Sequence, residues 1–569
     1  MKRFYETKEY KFSELVDIYK KFAIPNFQRS YKWSAKQLTD FFSSVESNDV
    51  GYFIGNIVCV RPGTESENRL IIVDGQQRLT TISLFLVALR DVSLIYNDNN
   101  TVEEWASEYL KARDRKIRKE YYILETRKKS FRDVYESLVE GTHGAKRFDK
   151  AQYAYIRGYN ILRELIEKNI SGDPQLLEVL MDKVTGLQVV AIVLEADTDI
   201  FDTFEGLNSK GLGLSASDLI KNYLFSQAEK INCLESVELS WGEIEADFEK
   251  INPEWFPKFL RHVWIARNGY ISGSGLFEVM KKKIKTYGNE ANLLEYLEEL
   301  KSDARFYLGV RDKRFSHYLI PIESLVRDVY EKFRVIDNQQ VLEVLLALNA
   351  RSQKDPNFKP KYSRDIAQLF WNYCFRMKYL AVSPSSYERI FAEYCKLIRE
   401  AKSEEIINRS KDTFDKLKSL SRNKDEFVET FVSEISYQSD SKLIEFLLKE
   451  IIETREGKVI TFTKTSIEHI LPQEPKEWNL KKKDIKDYVH CIGNLTLLHP
   501  KDNEKAKNRA IAIKCAEIYD NSHFLFNREI EMKYRDLFVE DWMMAIDQRG
   551  KDIARELFDM TEVDMHRIR

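Results

Sequence analysis

Helix breakers and cysteines are scarce in this chain of 569 residues, which has 21 Gly, 12 Pro and six Cys. So few breakers exclude a loop-dominated or repetitive low-complexity chain and favour long helices. The cysteines, Cys59, Cys233, Cys374, Cys395, Cys491 and Cys515, form no CxxC pair, which argues against a disulfide framework and against tetrathiolate zinc and fits a reducing compartment. Long apolar runs are missing too. The uncharged, apolar stretch 79–89 is too short to cross a bilayer, and the opening MKRFYETKEYKFSEL lacks the apolar core of a signal peptide. A cytoplasmic protein without membrane contact is expected. Net charge is nearly absent as well, with 89 basic residues against 91 acidic, so attraction to nucleic acid has to come from local patches.

What the chain does have is core material: 43% apolar residues and 12% aromatics over a length that suggests about two to four domains. Residues 1–225 mix signals. Val- and Ile-rich segments at 52–60 and 70–73 flank the turn-like RPGTESEN and read as a β-hairpin; the second ends at Asp74-Gly75, where RLTTISLFLVALRDV begins a helix. LQVVAIVL at 187–194 is a further strand. Residues 226–440 are almost entirely helical in pattern, and scattered residues there such as His262, Trp264 and His317 read as packing or surface positions. Residues 441–569 change again: a β-prone run at 458–462, then SIEHILPQ, a Lys-rich spacer, CIGNLTLLHPKDNEKAKN and a helical tail. The expected fold is α+β and predominantly helical, in three domains: 1–225, 226–440 and 441–569.

The densest chemistry lies in the last of these. Phosphodiester hydrolysis needs a base to activate water and a cation to offset charge on the phosphorane and the departing oxygen. A His ending a strand, an oxygen ligand beside it, an Asn to orient the imidazole and a second oxygen ligand on the following helix supply both. His469, Glu468, Asn494 and Asn503 follow that order. From Lys481 to Lys514 nine basic residues face four acids, a local patch of the kind DNA binding uses. A second basic stretch, 111–129, is read as a solvated face.

Glu468-His469-Ile-Leu-Pro and Asn494-Leu-Thr-Leu-Leu, with Asn503 nine residues on, resemble the HNH (His-Me finger) nuclease motif. The resemblance implies a ββα-type nuclease domain with His469 as general base, Asn494 holding its ring, and Glu468 with Asn503 binding Mg²⁺ or Mn²⁺. Lys507 and Asn508 are candidate phosphate contacts. Many such domains carry zinc on two CxxC pairs; here His499 and Asp502 stand where the second pair falls, so no structural zinc is expected.

At the other end, IPNFQRSYKW (24–33) and IVDGQQRLTT (72–81) stand out. A Gly at a strand-to-helix junction lets backbone N–H groups approach an anion, and Arg29, Arg78, Gln76, Gln77 and Asp74 offer groups to grip phosphate, base, ribose or Mg²⁺. Asp-Gly before a helix is also an ordinary turn and cap. The pair FQRSYKW and DGQQRLTT, with Phe204, Asn208, Gly211, Asp218 and Lys221 in a third block, resembles the S-type domain of GmrSD-like type IV restriction enzymes, a fold related to ParB and sulfiredoxin. EHILPQ, GNLTLL and Asn508, Lys514, Tyr519 and Ser522 resemble the D-type nuclease domain of the same family. That resemblance implies a nucleotide-dependent endonuclease of bacterial anti-phage defence acting on double-stranded DNA, with modified phage DNA as target and ATP or GTP bound in the S domain. Gln28, Arg29, Asp74, Gly75, Gln76, Gln77 and Arg78 then form the nucleotide pocket, closed by Asn208, Asp218 and Lys221. A homodimer is attractive because one HNH site cuts one strand. The alternatives are a nucleotide-gated DNA-binding protein with a vestigial HNH site and a nucleotidase working through the Asp74 loop.

Overall fold

The computed structural model describes residues 5–562 apart from 26–27, 29–30, 62–68, 97–100, 114–119, 127–128, 146–147, 149, 195–214, 337, 404, 458–464, 479, 523 and 539–540. The chain forms two compact units, one of residues 1–260 with 272–301 and the other of 261–271 with 302–569. Helices of the 226–440 stretch therefore fall in both units.

The first unit is built on a six-stranded mixed sheet. Its strands are β1 (Tyr5–Lys11), β2 (Lys21–Ile24), β3 (Phe53–Val60), β4 (Arg69–Asp74), β7 (Leu124–Thr126) and β8 (Gln188–Leu194), in the order β1-β8-β3-β4-β2-β7. A separate small ribbon pairs β5 (Lys111–Arg113) with β6 (Glu120–Tyr122). The expected hairpin is the antiparallel β3/β4 pair, and the expected strand at 187–194 is β8, antiparallel to β1 and parallel to β3. Val189, Ala191 and Val193 of β8 are buried, the period-two pattern of a strand with one face on a core. β1 escapes a pattern reading because Lys and Glu interrupt it, and β2 because it is only four residues long.

Gln76–Tyr96 is the core helix of this unit, packed against helices Thr101–Glu108 and Lys150–Ile170. Among the described residues it is the one helix long and apolar enough to cross a membrane, yet 78% of its apolar stretch is buried inside the unit. A helix enclosed on all sides has no need of a polar face.

In the second unit a helical body carries a short antiparallel ribbon of β9 (Ser466–His469) and β10 (Leu495–Leu498), followed by the helix Pro500–Ala506. The β-prone run at 458–462 lies outside the described residues. The ribbon adjoins a core that includes Ile470, Leu471, Trp478, Leu498, Tyr519 and Trp542. The turn Ile492–Asn494 crosses the long helix Trp542–Met560. A Cβ on Gly493 would stand 2.0 Å from the carbonyl oxygen of Ile546, so only glycine permits that crossing.

Candidate active site

His469 ends β9, opposite Leu495 in the ribbon register, and is 8% exposed. Burial, aided by the neighbouring His490 and Lys514, pushes its imidazole down to about 4. The ring is thus neutral near pH 7, the form in which it accepts a proton.

Glu468 does not share that environment. Successive side chains on a strand point to opposite faces, and Glu468 turns into the core, 3% exposed. Its Oε1 accepts from Lys514 Nζ at 2.6 Å and from the Tyr519 hydroxyl at 3.4 Å. Lys514, 0% exposed, also donates to the carbonyls of His469 (2.8 Å) and Ile470 (3.1 Å). All three ammonium protons are used. Burial pushes the Glu468 carboxyl up and the Lys514 ammonium down, each against the pull of the other. A carboxylate committed to a sealed ion pair is not a free cation ligand, so Glu468 and Asn503 do not fit the two-ligand Mg²⁺ or Mn²⁺ site expected of them.

The two asparagines are also placed differently from expectation. Asn494, fully buried, accepts from Leu471 N at 2.7 Å and donates to the carbonyls of Leu471 (2.9 Å) and Val489 (2.8 Å). Its amide therefore ties the two loops that flank the ribbon, rather than holding the imidazole. Asn503 donates through Nδ2 to Ser466 Oγ and to the Ile467 carbonyl (2.9 Å), pinning the helix Pro500–Ala506 to β9. Lys507 and Asn508 follow that helix. Lys507 is exposed with a positive φ of 32°, its N–H donating to Asn503 O, and Asn508 is exposed as well.

What surrounds the imidazole comes from residues that pattern reading passed over. Tyr437 meets it edge-on at 4.7 Å between centroids, His490 does so at 5.5 Å, and Tyr437 and His490 lie parallel to each other. Gln473 Nε2 is 3.4 Å from His469 Nε2. Beside this cluster opens a cavity of about 420 Å³ whose lining includes Gln473, Glu474, Lys482, Lys486, Asp487 and His490. Its volume falls in the range of ordinary ligand pockets. The one sequence signal for His490 was its position four residues before Asn494, at the end of the Lys-rich spacer.

In the first unit, Gly75 joins β4 to the core helix with φ +97°, its Cα packed so closely on β3 that an added Cβ would lie 3.3 Å from Ile57 Cα. Gln28 donates to the Val73 carbonyl at 2.8 Å, Gln77 Oε1 accepts from Lys32 N at 2.9 Å, and Tyr31 shares a proton with Thr81 at 2.7 Å. Gln28, Gln76 and Gln77 line one crevice with Tyr31, Thr126 and Tyr155. Its volume of about 10 Å³ has room for one water, so a nucleotide does not fit it as it stands. Asp74 is exposed, and Arg78 reaches the other way, to the Asn56 carbonyl at 2.9 Å. Asp218 closes a capping box with Ser215, and buried Lys221 pairs with Glu245 at 2.6 Å. Arg29 and Asn208 lie outside the described residues.

Two family models match the chain: GmrSD restriction endonuclease, N-terminal domain, over residues 12–225, and GmrSD restriction endonucleases, C-terminal domain, over residues 421–556. The second match spans β9, β10, His469 and the cavity beside it. Two such domains in this order define a restriction endonuclease, an enzyme whose substrate is DNA. The chain belongs to the GmrSD restriction endonuclease family. No curated protein is significantly similar to it.

Proposed function

We propose that the chain is a nucleotide-regulated endonuclease of anti-phage defence that cuts modified double-stranded DNA, with His469 as the base that activates water. The observation that carries this reading is a neutral, nearly buried imidazole at a strand end beside a cavity rimmed by Lys482 and Lys486. Water attacks phosphorus, its proton passes to His469, and the bond to the leaving oxygen breaks. An arriving phosphate anion raises the proton affinity of the ring, so the base strengthens as substrate binds. No step is routed through a metal ion, because Glu468 is engaged elsewhere.

Nucleotide control is assigned to the first unit. Its support is the Gly75 junction, which aims the first turn of a helix, with Gln76 and Gln77, at the crevice shared with Gln28. Binding there requires the crevice to widen, which makes two states of this unit the means of control.

The test is a cleavage panel of unmodified, methylated, glucosylated and phosphorothioate duplexes, with and without ATP or GTP and with Mg²⁺ or EDTA. One modified class should be cut preferentially, at a rate that responds to nucleotide, and His469→Ala should cut none. Equal cutting of all duplexes would remove the modification, and equal rates with and without nucleotide would remove the control. A second reading, DNA binding without cutting, is favoured by the structural roles of Glu468 and Asn494; tight binding of one modified duplex without cleavage under any condition would establish it.

A further inference from the structure

We propose that His490 is a second catalytic residue, whose Nε2–H donates a hydrogen bond to a non-bridging oxygen of the phosphate under attack by the water that His469 activates. The inference rests on the nuclease reading of His469 and adds a role to a residue outside the motif.

Three observations carry it. The first is placement. The His490 backbone carbonyl accepts from Tyr437 N at 2.9 Å, and its ring lies parallel to Tyr437 at 12° with centroids 5.9 Å apart. His469 stands edge-on to both rings, 5.5 Å from His490 and 4.7 Å from Tyr437. Two imidazoles are thus held side by side in fixed relation by a third ring.

The second is the position of the proton. Nδ1 of His490 is enclosed and has no partner among the described residues. A buried N–H without an acceptor is costlier and rarer than a bare acceptor, so the neutral ring carries its hydrogen on Nε2. Burial lowers the proton affinity of this ring as well, which keeps it a neutral donor.

The third is access. His490 lines the 420 Å³ cavity, which His469 adjoins through Gln473. The charged groups facing that cavity are Glu474, Lys482, Lys486 and Asp487, with Lys482 paired to Glu474. Lys486 lacks such a pair in the described structure and is a point charge for the adjacent backbone phosphate.

The reaction balances without a proton from His490. The attacking water gives its proton to His469, the P–O bond to the leaving group breaks, and the leaving oxygen is protonated from solvent. His490 acts by hydrogen bonding alone, as a fixed donor aimed where charge grows.

The experiment measures single-turnover cleavage and duplex affinity on the modified duplex that the wild-type chain cuts. It compares His490→Phe and His490→Met, which lose the donor, His490→Gln, which keeps an amide N–H at similar reach, and His469→Ala. Both donor-less variants should lose about 10²-fold in rate with affinity within about threefold, while His490→Gln stays within about tenfold of wild type. The inference is overturned if a donor-less variant cuts at the wild-type rate, if His490→Gln is as slow as His490→Phe, or if the loss is in affinity alone. It is also overturned if both donor-less variants lose the wild-type unfolding transition, since His490 is then a packing residue. Abolished cleavage in His469→Ala with full activity in His490→Phe rejects this inference and leaves the base intact; full activity in His469→Ala rejects both.

Discussion

Lys514 brings three donors to three oxygens behind β9, and two of those oxygens belong to the backbone of His469 and Ile470. The pair with Glu468 is therefore a clamp on the strand end that carries His469. Removing one partner of a buried ion pair leaves the other charge stranded, so Glu468→Gln should cost about 3–5 kcal/mol in urea unfolding. The double variant Glu468→Gln/Lys514→Met should recover most of that loss, and failure to recover would mean that Glu468 acts through something other than Lys514. If Glu468 is not a cation ligand, the Mg²⁺ concentration that half-saturates any cleavage should be the same in Glu468→Gln as in wild type. His469 supplies a second test through pH. Its folded-state value near 4 lies below the ordinary imidazole value of 6.5, so the unfolded chain takes up a proton first as pH falls. Stability contributed by the neutral ring is complete above about pH 6.5 and should decline by up to about 3 kcal/mol toward pH 4. His469→Gln should flatten that part of the unfolding profile.

At the scale of elements, the ribbon depends on a crossing that admits no side chain at Gly493. The Ile492–Asn494 turn passes the Trp542–Met560 helix through Gly493 and Gly550, and Arg549 of that helix donates to the carbonyls of Gly493 (2.7 Å) and Leu495 (2.9 Å). Gly493→Ala should cost at least about 3 kcal/mol, because the clash is with backbone, and should lower cleavage together with stability. Gly75→Ala in the first unit should cost about 1–3 kcal/mol, and by the present account it should weaken nucleotide response while leaving the β9–β10 ribbon unaffected. Unchanged unfolding in either variant would mean that the local backbone has room it is not shown to have. The elements themselves were largely legible. The β3/β4 hairpin, β8, the core helix and the strand-loop-strand-helix order all follow from spacing of apolar residues and turn chemistry, since each is local. Partners were not legible. Strand alternation alone separates Glu468 from His469, but naming Lys514 as the partner needs the fold, because the two lie 46 positions apart. Tyr437 and His490 meet His469 for the same reason, across a loop and a helix end.

For the whole molecule, the two family matches place the N-terminal and the C-terminal domain of GmrSD restriction endonucleases in one chain. The motif drew attention to the ribbon, and the structure gives its residues partners that the motif does not name: Asn494 ties loops, Glu468 clamps the strand, and the imidazole keeps company with Tyr437, His490 and Gln473. Boundaries were less legible than motifs, as helices between 226 and 440 belong to both compact units. If nucleotide binding controls cutting, a nonhydrolysable nucleotide and removal of nucleotide should give different rates on the same modified duplex. The central claim, however, concerns one imidazole, and the most direct test is single-turnover cleavage by purified His469→Gln beside wild type, after both are shown to unfold cooperatively at neutral pH. If His469 is the base, cleavage falls by at least about 10²-fold with duplex affinity retained; cutting at the wild-type rate would contradict that role.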